Sequence, residues 1–205
     1  MPPRLALALL VISALLNGCG LESNHALSTP ATSTIDLRLE GLYVARREKN
    51  GDDIAGWHFH YRGAKAGADG RPRATPFLEV LGVTHMKEGG LKGDAYHALT
   101  THLGGHDYIS FIELGSDRGK RKASPYGLAR YEVGWSGELR VWGANSSAFA
   151  EAIKAGKLHG TAKHTQLGDD VLLTDSTEHI ATFVAAGNPA ILFSGKPLIF
   201  DRVAR

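Results

Sequence analysis

Tyr126-Gly-Leu-Ala-Arg-Tyr-Glu-Val133, then Ser136-Gly137, then Glu138-Leu-Arg-Val-Trp142: two β-prone runs flank a tight-turn pair. Leu139 and Val141 alternate with Arg140 and Trp142, the period-two pattern of a strand with two unlike faces. Upstream runs repeat the theme. Asp107–Leu114 carries Tyr108, Ile109, Phe111, Ile112 and Leu114, and Phe77–His85 carries Leu78, Val80, Leu81 and Val83. Trp57-His-Phe-His-Tyr61 alternates aromatic residues with His58 and His60. It reads as the return strand of a hairpin that leaves Leu37–Arg46 and turns at Asn50-Gly51, where glycine supplies positive φ cheaply. Tyr96–Leu103 fits a strand or an irregular turn. The Gly89-Gly90 and Gly104-Gly105 pairs lack the strand-to-helix setting of a phosphate loop and mark turns.

After Trp142 the period changes. Asn145-Ser146-Ser147 can cap a helix whose stripe is Ala148, Phe149, Ala152 and Ile153, with Gly156 as its stop. Leu158–Thr165 and Asp170–Thr174 read as short strands. Asp175-Ser176-Thr177-Glu178 reads as a capping box opening a second helix, with Ile180, Phe183 and Val184 buried and Gly187-Asn188-Pro189 as its end. Leu198–Val203 is a last strand. The expected fold is therefore mainly β with a minor α component. About eight or nine strands, mostly sequential hairpins, form a curved antiparallel sheet or partly open barrel, and two short helices come late in the chain.

At 205 residues the chain suits one domain with a real core. Discarding residues 1–18 removes Arg4 and no acid, so a net charge of +2 becomes +1, which argues against nucleic acid as the partner. The basic cluster Arg118, Lys120, Arg121 and Lys122 lies among Gly119 and Ser124-Pro125 and reads as a solvated loop. Cys19 is the only cysteine, so no disulfide can form within the chain.

Arg4 precedes an apolar run of 12 residues, Leu5–Leu16, too short to span a bilayer, and Leu16-Asn17-Gly18-Cys19 follows it. This stretch resembles a bacterial lipoprotein signal peptide ending in a lipobox. The resemblance implies that residues 1–18 are removed and that Cys19 is lipidated. The membrane then becomes a partner through the N-terminal lipid, since two or more acyl chains anchor stably. Gly20, rather than Asp, after the cysteine implies the outer membrane, facing the periplasm. Residues 20–36 are rich in Ser, Thr, Asn and Ala, show no apolar period, and are expected to be a flexible tether with a reach of roughly 20–25 Å. The globular domain is expected over 37–205. Its later part, from Tyr126-Gly-Leu-Ala-Arg-Tyr-Glu through Leu158-His-Gly-Thr to Ser176-Thr-Glu, resembles a group of uncharacterised small exported bacterial β-rich proteins over roughly the last 100 residues, a likeness of structural motifs that implies no activity.

Ten histidines are the one enriched functional type. His58 and His60 share one strand face, and His97, His102 and His106 follow in a second segment; if the segments meet they could hold Zn²⁺ or Cu²⁺, against the plainer reading of a polar face. Asp175, Ser176 and His179 have triad composition, but capping explains the first two better. Trp57, Phe59, Tyr61, Trp135 and Trp142 could line a ligand cavity, or simply pack the core. The expectation is a lipid-anchored envelope protein that binds a protein or small molecule without catalysis and carries no cofactor but its lipid. The alternative is a periplasmic metal protein or metal-dependent enzyme built on the histidines.

Overall fold

The computed structural model describes residues 20–45, 55–61, 65–66, 72–73, 76–85, 90–114, 125–166 and 168–203. The stretch 16–19 that resembles a lipobox, the turn expected at Asn50-Gly51 and the loop expected at 118–122 lie outside them. The strands are β1 (Leu21–Ser23), β2 (Gly41–Ala45), β3 (Ala55–Tyr61), β4 (Lys65–Ala66), β5 (Pro72–Arg73), β6 (Leu78–His85), β7 (Leu91–Leu103), β8 (His106–Leu114), β9 (Tyr126–Val133), β10 (Leu139–Gly143), β11 (Gly160–Thr165), β12 (Gly168–Leu173) and β13 (Leu198–Arg202). The helices are α1 (Ser146–Lys154), α2 (Thr177–Ala186) and α3 (Pro189–Leu192).

Eight strands close an antiparallel barrel in the order β10-β13-β2-β3-β6-β7-β8-β9, with β9 returning to β10. The curved sheet expected from the hairpin runs is thus fully closed, which removes its edges. β7 and β8 meet across Gly104-Gly105, both at positive φ (57° and 82°), as a two-residue hairpin turn requires. The first half of β9 also pairs with β1, which lies parallel to β12, and β11 completes a three-strand extension off the barrel wall.

Side-chain alternation fills the interior. Tyr43, Phe59, Tyr61, Tyr96, Tyr131 and Phe200 point inward and are buried, while His58 and His60 between the β3 aromatics are exposed. An eight-strand barrel is about wide enough to be filled by side chains, and aromatic rings do it here, Tyr43 meeting Phe59 edge-on at 5.5 Å. A second core lies outside the wall. Tyr108 and Leu128, which alternate with inward Ile109 and Ala129, pack with Leu27, Phe149, Leu173, Ile180 and Phe193 from the extension and helices.

The expected tether is part of this fold. Leu21–Ser23 is a paired strand, and Ala26 and Leu27 are buried. Leu27 N–H donates to Ser110 Oγ (3.0 Å), Ser28 Oγ meets Thr101 Oγ1 (2.7 Å), and Thr34 bridges to Thr100. Leu37–Leu39, expected in a strand, is instead a 3₁₀ turn that closes one barrel end with buried Leu39. Three buried tyrosines hold this plug from inside. Tyr131 O–H donates to Asp36 Oδ2 (2.9 Å), Tyr61 O accepts the Asp36 N–H (3.0 Å), and Tyr43 O–H donates to the Arg38 carbonyl (2.8 Å). Arg38 bridges Asp36 and Asp107, each at 2.7 Å.

Candidate functional site

The five histidines singled out by spacing do not form one site. His58 and His60 share the outer face of β3 with parallel rings 6.3 Å apart. The register aligns His60, Glu79 and His97 across β3, β6 and β7, but His97 comes no closer to Glu79 than 3.9 Å. His102 lies at the β7–β8 turn, its Nδ1 bonded to Asp107 (2.7 Å), and His106 opens β8 across the same turn. His97 and His102 lie five residues apart on β7, roughly 17 Å along the strand, and among the described residues these imidazoles form no group of three ligands. Among the described residues one group does bring three ligand atoms within 4.8 Å of one another: His159, Asp175 and His179.

Each member arrives from a different element. Leu158 is buried in the second core, and His159, one residue on and just ahead of β11, points out. Its carbonyl accepts the Thr174 N–H (3.0 Å), which extends the β11–β12 ladder by one pair and sets His159 beside the end of β12. Asp175 follows β12. Ser176, not Asp175, caps α2, its Oγ accepting the His179 N–H (3.3 Å). The cap of α2 therefore falls one residue later than the capping box read from the sequence, and Asp175 is left to the two imidazoles. Asp175 Oδ1 faces His159 Nδ1 at 2.6 Å and His179 Nδ1 at 2.9 Å, while Oδ2 accepts the His159 backbone N–H at 2.5 Å. The carboxylate side chain is 5% exposed, and the imidazoles are 76% and 46% exposed. Burial alone would push this carboxyl up; the hydrogen bonds from His159 and His179 outweigh it and hold it below the ordinary value.

Of the proposed cavity residues, Trp57 and Phe59 line an apolar recess inside the barrel with Tyr96, Ile109, Phe111 and Leu139. Its volume is about 30 Å³, room for one or two water-sized groups and far short of a small-ligand pocket. Tyr61 is committed to the plug, its hydroxyl also bonded to Thr100 Oγ1 (2.8 Å). Trp142 lies in the second core beneath the Arg130 guanidinium, 4.1 Å from the ring centroid, and Trp135 stands fully exposed on the β9–β10 turn.

The outer wall offers a different feature. The register places Leu42, His58, Leu81, Ala95 and Leu114 side by side across β2, β3, β6, β7 and β8. Leu81 is 51% exposed, Leu42 44% and Leu114 40%, and exposed Val83 extends the belt along β6. The alternation that buries the aromatics thus leaves aliphatic side chains in water, a pattern that marks interaction surfaces when contiguous. No family model matches the chain, and no curated protein or solved structure matches it.

Proposed function

We propose that the chain is a lipid-anchored protein of the bacterial cell envelope, held in the outer membrane through Cys19, whose barrel docks a protein partner in the periplasm. The belt of exposed Leu42, Leu81, Val83 and Leu114, with His58 and Ala95 between them, carries the docking part of this reading. The Leu16–Cys19 lipobox and Gly20 support the anchoring part. Cys19 precedes the first paired residue, Leu21, by two positions, a span of about 7 Å at most. An anchor at Cys19 would therefore hold the β1–β9 side against the bilayer instead of floating the domain on a long tether. In the eight-strand ring β9 and β3 are four strands apart in either direction. The belt, whose middle strand β6 is three strands from β9, then lies largely on the side away from the lipid. That orientation favours a protein with an apolar contact surface over the bilayer as the belt's occupant.

Cys19→Ser is expected to abolish labelling by a fatty-acid analogue and to release the protein from membranes. A variant still labelled and membrane-bound would refute the anchor. For docking, a photo-crosslinking side chain in place of Leu81 is expected to capture one envelope protein. The same group at Glu151 on α1 is not, and Leu42→Lys is expected to cut the Leu81 adduct at least tenfold. Equal adducts from both positions, or no effect of Leu42→Lys, would overturn the reading.

A further inference from the structure

The structure assigns a site for a first-row divalent cation, with Zn²⁺ as its simplest occupant, to His159, Asp175 and His179. Two imidazoles and one carboxylate are a donor set that suits such ions, and three protein ligands leave a coordination position for water. The two Nδ1 atoms already face the same Asp175 oxygen, at 2.6 and 2.9 Å, and the three ligand atoms all lie within 4.8 Å of one another. In a tetrahedral zinc site with bonds near 2.0–2.1 Å, ligand atoms stand roughly 3.3 Å apart. The two N···O contacts therefore have to open by about half an ångström, a movement within reach of two half-exposed or exposed rings.

What such a site needs from its surroundings is present. The carboxylate is fixed from behind, because its other oxygen accepts the His159 backbone N–H. The His179 backbone is fixed by the first turn of α2, and the His159 backbone by the Thr174 hydrogen bond. Each imidazole Nδ1 turns toward the carboxylate, and the rings stand 6.1 Å apart at 56°, which leaves the mouth open to solvent. A cation here would tie the β11–β12 hairpin to α2 by replacing the two contacts between Nδ1 and the carboxylate with metal bonds, each neutral imidazole then carrying its one proton on Nε2. This site stands apart from the apolar belt, on the extension instead of the barrel, and does not depend on the docking reading.

Titrating the whole chain with Zn²⁺ by calorimetry, with Co²⁺ absorption as a second readout, tests the assignment. One ion per chain is expected, with visible Co²⁺ bands of a low-coordinate site. His159→Ala is the informative variant, because that side chain is 76% exposed and truncating it is expected to leave the fold intact. It should weaken Zn²⁺ binding at least tenfold and abolish the Co²⁺ bands, as should His179→Ala. The double variant His58→Ala/His60→Ala serves as the competitor, since that stacked pair could also chelate, and it should bind as the parent does. Loss of the ion in the β3 double variant, unchanged affinity in His159→Ala, or no saturable binding by the parent would each overturn the site.

Discussion

A chain shortened to begin at Leu37 is expected to lose its cooperative unfolding transition. Residues 20–36 resemble a linker in composition, yet their removal takes away the β1 strand, the buried Ala26 and Leu27, and the Asp36 contacts. Emptying a buried leucine site alone costs about 2–5 kcal/mol. Buried Tyr61 and Tyr131 hydroxyls would also lose partners, at about 1–3 kcal/mol for each group left unsatisfied. Together these reach the scale of a domain's net stability, about 5–15 kcal/mol. Thermal and urea melts followed by circular dichroism measure the effect. A truncated chain that melts within a few degrees of the parent would show that the segment merely lies on the barrel.

Replacing Asp36 by Ala should destabilise the protein by about 2–3 kcal/mol, on the scale of one hydrogen bond to a charged group lost from a buried partner, and lower the melting temperature by about 5–10 °C. The effect comes mainly from Tyr131, which is buried and donates to this carboxylate; the Arg38 partner is half exposed and contributes little through screened charge. Burial pushes the Asp36 carboxyl up, but hydrogen bonds from Arg38 and Tyr131 prevail and hold it below its ordinary value. Burial, with the Asp36 charge beside it, pushes the Tyr131 phenol up, so it remains a donor. A depressed carboxyl contributes stability that is complete above its unfolded value, about 3.9. That stability is lost as pH falls through the lower folded value. The melting-temperature gap between the parent and Asp36→Asn is therefore expected to be widest near neutral pH and to shrink below about pH 4. A gap constant with pH would mean that the carboxylate charge contributes nothing.

The barrel is legible from the chain because its signal is local. Trp57, Phe59 and Tyr61 against His58 and His60 announce a strand and its inward face with no knowledge of the partners. Closure is not legible, because it depends on β13 reaching both β10 and β2. The 20–36 segment escapes periodicity for a chemical reason. It is held largely by hydroxyl and backbone hydrogen bonds to Ser110, Thr100 and Thr101, and serine and threonine look the same in a tether as in a buried seam. The His159–Asp175–His179 group is half legible. Asp175 and His179 are visible as an i, i+4 pair, but His159 joins them only because β11 and β12 fold back on each other. Asp175 and Ser176 are both good caps by residue type, and only the chain path shows that Ser176 takes the cap and leaves Asp175 to the imidazoles.

The parallel pairing of β1 with β12 also bears on the order of events in folding. Leu21 aligns with Val171, 150 residues later in the chain. Contacts of such separation carry a large loop-closure cost until intervening structure has formed, and folds rich in them mature slowly. Hairpins such as β7–β8 join neighbouring residues, whereas the pairing of β1 with β12 needs nearly the whole chain. β1 and the residues after it can be held first by β9 and by Ser110, Thr100 and Thr101, and the seam of β1 with β12 is among the last to close.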